Sequence, residues 1–269
     1  AVGGYGRGEL SPGSDLDILI VHNGKIGQEK LKAIVNDLLY PLWDKNSVDH
    51  SVRTRSETKE AAASDLRVAT GLLDIRFIAG NADLVGAVRA DSLDYWRKDA
   101  KRNLPELEKT LSERHERAGE LAYLLEPDLK EARGGLRDIQ ALRAISLSGA
   151  VQVPLEKISW AESTLNNVRE ALHTASGRGK DRLLFQEQDK VAKILNYKDA
   201  DGMMSDVARA ARTVDYLLDY TWHALEHKGK DGLGRIMRRP RVVNVAKNVS
   251  AVEREIIIDS LTSFNEDPV

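Results

Sequence analysis

Two aspartates, Asp15 and Asp17, stand one residue apart inside "GGYGRGELSPGSDLDILIV", residues 3–21. Aspartate is depleted in strands, yet an apolar run, Ile18 to Val21, follows at once. Residues i and i+2 of a strand share one face, so both carboxylates project together while Leu16 and Ile18 turn towards a core. Carboxylates that close repel each other unless a cation lies between them. Hard divalent ions such as Mg²⁺ want oxygen ligands and usually take one or two carboxylates plus substrate phosphates. A glycine turn at Gly3 and Gly4, with ten residues between Gly4 and Asp15, would bring backbone N–H groups near those phosphates. Ser14 adds a hydroxyl beside the acids. These parts together describe a metal–triphosphate site. A third acid, Asp49 in "VDHSVRT", reaches the same ions if its strand pairs beside the first. Two ions about 3.5–4 Å apart would then stabilise both the attacking and the leaving oxygens of a displacement. Arg53 shares Asp49's face and could pair with it or meet phosphate; His50 points the other way and is expected to be packed.

The elements that must hold these groups follow from periodicity. Residues 15–21 and 47–53 read as strands. Residues 28–42 read as a helix, with Leu31, Ile34, Val35, Leu38, Leu39 and Leu42 at i, i+3, i+4, i+7 spacing. Ser64 is expected to cap a helix running through Ile78 and ended by Gly80. Pro105 fits the first turn of a helix to about Leu125, with Leu107, Leu111, Ala118, Leu121 and Leu125 on one stripe. A loop rises to Gly134 and Gly135. Helices are then expected over 136–148, 155–175, 181–196 and 203–227, with a turn at "SGRGK", 176–180. The tail from Gly229 is basic and later contains Ile256, Ile257 and Ile258. The spacing thus predicts a small α/β region to about residue 80–90, followed by helices.

Composition narrows the classes. The chain has 269 residues, 42% apolar and 30% charged, enough for two domains with real cores. Forty basic and 42 acidic side chains leave a net charge of −2, which gives no general field for nucleic acid. "KGKDGLGRIMRRPRVV" is basic but lacks the interleaved aromatics of a single-strand binder. No run approaches the roughly 18 apolar residues of a membrane span. The chain has no cysteine, so disulfides, zinc–thiolate sites and thiol nucleophiles are excluded, and a cytoplasmic setting is compatible. "HALEH", His223 to His227, has the outline of a zinc-protease motif, but a solvated or interdomain helix end accounts for it.

The quoted glycine–aspartate stretch resembles the signature of the polymerase-β-like nucleotidyltransferase superfamily, G-[GS] followed about ten residues later by D-x-D. The longer form, GGYGRGEL…SDLD, resembles the bacterial PII uridylyltransferases. So do "LWDKNSVDHSVRT", "VATGLLDIRFIAG" and "LEPDLKEARGGLRDIQALRAI", and more loosely "DRLLFQEQDKVAKIL". The resemblance covers about Ala1 to Asp215. It implies an α+β fold: a small polymerase-β-like nucleotidyltransferase domain over 1–88 with a mixed sheet and helices, an all-helical domain over 89–228 closing the nucleotide cleft, and a linker or tail over 229–269. It implies Mg²⁺-dependent transfer of UMP from UTP to a tyrosine of the PII nitrogen-regulatory protein, releasing pyrophosphate. The alternatives are adenylylation of PII from ATP, or a fragment that binds nucleotide or PII without turnover. No nucleic acid or membrane partner is expected. Full family members also carry a His-Asp phosphohydrolase domain and two ACT domains. Neither is visible here, so the chain is expected to be the transferase part of a longer protein. On the family pattern the metal pair falls on Asp15 and Asp17, and the phosphate turn on Gly3, Gly4 and Ser14, with Arg7 near it. Asp49 is the third acid, and Asp74 in "LLDIR" competes with it; for Asp74 and Arg76 an ion pair on a helix surface or between domains is the favoured reading. Lys130 and Arg137, around Gly134-Gly135, would touch phosphates at a helix N-terminus or hold the domains together.

Overall fold

A computed structural model describes residues 1–44, 46–177, 179–230, 242–246, 249–252 and 255–258. The chain divides into two compact units, Ala1–Leu225 and Glu226–Val269. The first opens with a five-residue helix, α1 (Gly3–Arg7), which is followed by β1 (Leu16–His22), α2 (Gln28–Trp43) and β2 (Val48–Thr54). Strands β1 and β2 pair in parallel, Leu16 opposite Val48 and Asp17 opposite Asp49. A parallel pair needs a crossover, and α2 supplies it. The other edge of β1 meets the start of the chain, where Val2 N–H donates to the Asp17 carbonyl at 3.1 Å.

The stretch 55–80 departs from the expected helix capped by Ser64 and running through Ile78. It folds as α3 (Arg55–Ser64), α4 (Leu66–Gly71) and a 3₁₀ turn, Leu72–Asp74. Thr54 caps α3 in a reciprocal box with Glu57, and Asp65 caps α4 by accepting from Arg67 N–H. Ser64 is therefore the last residue of one helix, not the cap of the next. The capping box at 54–57 is a sequence signal for α3, a helix the periodicity did not predict.

Helices α5 (Ala82–Lys98), α6 (Ala100–Ala118) and α7 (Leu136–Ser148) come next. Asn81 caps α5, and residue 88, the expected domain boundary, lies within that helix. Helix α6 begins five residues before Pro105 and stops at Gly119, not Leu125. Its buried stripe is Leu104, Leu107, Leu111 and Arg114; Leu121 belongs to a separate 3₁₀ turn, and Leu125 is exposed. Helix α7 matches the expected 136–148. The last helices are α8 (Ser159–Ser176), preceded by a 3₁₀ turn over Leu155–Ile158, then α9 (Phe185–Ile194) and α10 (Ala200–Lys230).

One core joins these elements. Trp96, Leu142, Ile145, Leu165, Leu172, Leu183, Met203 and Val214 are all buried, and Leu19 and Val21 of β1 pack against the same cluster. Trp96 is wholly buried, and its indole N–H donates to the Ala144 carbonyl at 2.7 Å, locking α5 onto α7. The second unit holds three antiparallel strands, β3 (Val242–Ala246), β4 (Val249–Val252) and β5 (Glu255–Ile258), in that order. The isoleucine run expected in a tail thus forms β5. Most of the basic stretch, residues 231–241, lies outside the described residues.

Candidate active site

Parallel register does the first work. Because Asp17 stands opposite Asp49, both side chains leave the sheet on the same face, with Cα atoms about one strand spacing, ~4.8 Å, apart. Asp15 sits one residue before β1. Burial and the charges of Asp49 and Asp15 push the Asp17 carboxyl above its usual range, while Lys130 and Arg7 draw it down. These three acids therefore feel one another across a single space. Gly3 closes that space from the side. Its φ is +54°, and a Cβ there would lie 2.9 Å from Asp17 Oδ2. A side chain would occupy the room beside the carboxylate where a ligand must come.

The three acids, Gly3, Gly4, Arg7, Ser14, Lys130 and Arg137 all line one cavity of about 930 Å³ within the first unit. Arg53 reaches it from the far end of β2. Lys130 holds its ammonium 3.8 Å from Asp181. Arg137 is half-exposed and pairs with Glu131 at 3.0 Å. Arg7 is not free to meet phosphate alone: its Nε donates to Glu9 at 2.6 Å and its Nη1 donates to Asp74. Asp74, the competing third acid, is thus engaged by Arg7; burial raises its pKa and Arg7 opposes the rise. Arg76 does not form the expected ion pair. It donates to the carbonyls of Gly6 and Tyr5 at 3.0 and 2.6 Å and stacks on the Tyr5 ring. The "LLDIR" stretch is therefore the buttress of the glycine turn. His50 packs against Trp43, ring centroids 5.7 Å apart.

Carboxylate oxygens, mutual repulsion and a cradle beside Asp17 fit a hard divalent cation. Among the described residues no group of three His, Cys, Asp or Glu is gathered closely enough to hold a metal by itself.

In the "ARGGLRD" stretch Arg137 lines the cavity while Asp138 turns inward. Asp138 is fully buried. It accepts from Gly134 N–H at 2.6 Å, from His115 Nε2 at 2.9 Å and from Arg114. Against the desolvation of complete burial, the His115 hydrogen bond and the Arg114 charge hold its pKa below the usual carboxylate range. Gly134, at φ +84°, has no room for a side chain: a Cβ would lie 2.5 Å from the Ala211 carbonyl of α10. Of the "HALEH" residues, the side chain of His227 lies outside the described residues.

Sequence reading missed Ser11, Gly13, Arg169, His173, Gly179 and Asp181. Gly179, in the stretch read as a plain turn at 176–180, lies against Gly13 in the loop that precedes Asp15. The Arg–x–x–x–His spacing of Arg169 and His173, one helical turn, was the available signal.

The arrangement defines a class. Residues 1–60 match the family described as "Nucleotidyltransferase domain", and the chain carries that domain. Residues 102–148 and 153–222 match the family described as "GlnD PII-uridylyltransferase", and the chain belongs to that family. It is 48% identical over 247 residues to the bifunctional uridylyltransferase/uridylyl-removing enzyme of Streptomyces coelicolor, covering 90% of this chain and 28% of that protein. It is 37% identical over 277 residues to the protein of the same description from Mycobacterium tuberculosis, covering 99% of this chain and 34% of the other. The relative from Cereibacter sphaeroides is 37% identical over 243 residues, 83% of this chain and 25% of that protein. The chain thus spans about a third or less of the length of these relatives. No helix among the described residues is long and apolar enough to cross a membrane.

Proposed function

We propose that this chain carries the centre that transfers UMP from UTP, with Mg²⁺, to a tyrosine hydroxyl of the PII nitrogen-regulatory protein, releasing pyrophosphate. The observation that carries the proposal is Asp17 facing Asp49 in register, its carboxyl pushed up by burial and by the neighbouring acids, in a cavity also lined by Gly3, Gly4, Ser14 and Lys130. Residues 1–88 would supply the acids, and residues 89–228 the Lys130 turn and the Arg137 helix that line the same cavity. The relatives named for uridylyl transfer support the reading.

Nucleotidyl transfer asks a protein for positioning and charge compensation more than for covalent help. The tyrosine oxygen attacks the α-phosphorus, a new O–P bond forms, and the bond to the bridging oxygen breaks so that pyrophosphate leaves. Mg²⁺, held by Asp15 and Asp17, would neutralise the triphosphate and ease that departure. Lys130 draws the same phosphates towards the acids. Asp49 takes the phenolic proton, which a group of pKa near ~10 does not release unaided at neutral pH. Gly3 and Gly4 keep the space beside Asp17 open to the phosphates.

The test is incubation of the chain with PII, Mg²⁺ and labelled UTP or ATP in separate reactions. Label from UTP on a PII tyrosine is the expected result. Label from ATP alone reassigns the base and leaves the centre in place. Nucleotide held without label on PII makes the chain a binding fragment, and no uptake of either nucleotide overturns the reading.

A further inference from the structure

The loop 11–14 joins the glycine turn to Asp15, and a set of groups from α8 and the following segment grips it. Arg169, on α8, is nearly buried. Its Nε donates to Asp181 Oδ1 at 2.6 Å, its Nη1 donates to Ser11 Oγ at 2.9 Å, and its Nη2 reaches Ser14 Oγ at 3.4 Å. His173, one turn on, shares Asp181 through Nε2 at 2.8 Å. Its Nδ1 accepts from Gly13 N–H at 3.3 Å. An Nδ1 that accepts carries no proton, so Nε2 is the donor to Asp181. The backbones touch as well: a Cβ on Gly179 would lie 2.2 Å from the Gly13 carbonyl. Asp181 is itself fixed, since its carbonyl accepts from Leu129 N–H at 2.9 Å.

The consequence falls on Ser14. A serine hydroxyl has two acceptor lone pairs and one proton. Here one lone pair accepts from Ser11 N–H at 3.0 Å and the other faces Arg169. What remains is the proton, which can only donate. A hydroxyl committed to donating, next to Asp15 in the cavity, suits a phosphate oxygen.

We propose that Arg169, oriented by Asp181 and His173, is a positioning residue that presets the Ser11–Ser14 loop and turns the Ser14 hydroxyl into a donor for the nucleotide's phosphate. The inference rests on the proposed function, since it needs a triphosphate in the cavity. Arg169 acts through the two serines. Its planar fork is what spans two hydroxyls and one carboxylate at once, which the point charge of a lysine does not do.

The test uses the 269-residue chain and titrates Mg²⁺-UTP and Mg²⁺-ATP separately. Arg169→Met is expected to weaken nucleotide binding about ten- to hundredfold, the loss typical of hydrogen bonds to a charged group. It is also expected to speed amide exchange at Gly13 and Ser14. Arg169→Lys is expected to fall near the Met variant, and full affinity in the Lys variant would overturn the fork. In a Ser11→Ala, Ser14→Ala background, Arg169→Met is expected to cost less than about threefold more, because coupled residues are not additive. An equal penalty in both backgrounds overturns the proposal, as does unchanged affinity of a folded Arg169→Met chain. If Arg169→Met does not fold, the serine pair decides, since it leaves the Arg169–Asp181 pair in place; normal affinity and normal Gly13 exchange there would refute the loop's role. An unmodified chain that takes up neither nucleotide overturns both this inference and the function it rests on, whereas an unmodified chain that binds while its variants bind equally overturns this inference alone.

Discussion

Two glycine pairs precede two sets of aspartates in this chain, and the structure uses them in opposite ways. After Gly3-Gly4 come Asp15 and Asp17, which keep company with Asp49 and have little positive charge bound to them. After Gly134-Gly135 comes Asp138, which is fully buried and saturated by Arg114, His115 and a backbone N–H. Burial and the neighbouring acids disfavour the ionised form of Asp17 in the first set, whereas the partners of Asp138 favour its ionised form. Their carboxyls shift in opposite directions, Asp17 up and Asp138 down. An acid left frustrated by its neighbours marks a place for chemistry, and an acid satisfied on every side marks a joint of the fold.

Substitution of one acid from each set separates them most sharply. Asp17→Asn is expected to cut nucleotidyl transfer by at least about a hundredfold, since even partners outside a metal's direct ligands cost 10–100-fold. Its melting temperature should hold or rise slightly, because a like-charge repulsion is removed. Asp138→Asn should do the reverse. It breaks a buried charge cluster, expected to cost about 3–5 kcal/mol, or on the order of 6–20 °C in a thermal melt for a chain of this size. A melt that falls as far for Asp17→Asn as for Asp138→Asn would erase the contrast.

The glycines give the next effect. Gly134→Ala would drive a Cβ against the Ala211 carbonyl, where only backbone can yield, so a fall in melting temperature is expected. Gly3→Ala would meet the flexible end of Asp17 instead. Apart from the cost of its positive φ, about 1 kcal/mol, its main loss should appear in Mg²⁺-nucleotide affinity measured by calorimetry. Lys130→Ala, which removes a cation drawing Asp17 down, should weaken nucleotide binding about tenfold and leave the melt near its parent value.

Acidification gives the smallest and most graded effect. Asp17 is raised, so its ionised form opposes folding and protonation relieves that cost as pH falls through its folded pKa; divalent affinity should therefore begin to fail above the usual carboxylate range. Asp138 is lowered, so it stabilises the fold above its unfolded pKa and that contribution is lost only as pH falls through its lower folded value. Calorimetric Mg²⁺-nucleotide titrations and melts along one pH series should show affinity failing first. Simultaneous loss of both would contradict the opposite shifts.

Much of the first set was legible in the sequence, because period-two alternation and the Gly-to-Asp spacing are local features. The strands over 16–22 and 48–54, the helix between them and the helix over 136–148 lie where periodicity put them. The mistakes have local causes too. Periodicity carried the expected helix from Ser64 through Ile78, past the Asp65 cap and the end of α4 at Gly71, and carried another through Gly119, where α6 ends; the Thr54–Glu57 box that starts α3 went unread. The role of Asp138 did not show in the sequence because its partners Arg114 and His115 come from another helix. The Arg169–His173–Asp181 cluster left only the one-turn spacing of Arg169 and His173 as a local trace, since it meets Ser11–Ser14 across more than 150 intervening residues.

The contact of Gly179 with Gly13 limits how this molecule can be divided. Transplanting residues 1–60 into a related scaffold would carry the phosphate loop but leave behind the glycine that admits it and the arginine that shapes it. A chimera joined anywhere between those two glycines inherits a mismatched seam unless the recipient also offers a bare backbone at the matching place. Recombination should thus succeed when residues 11–14 and 169–181 travel together.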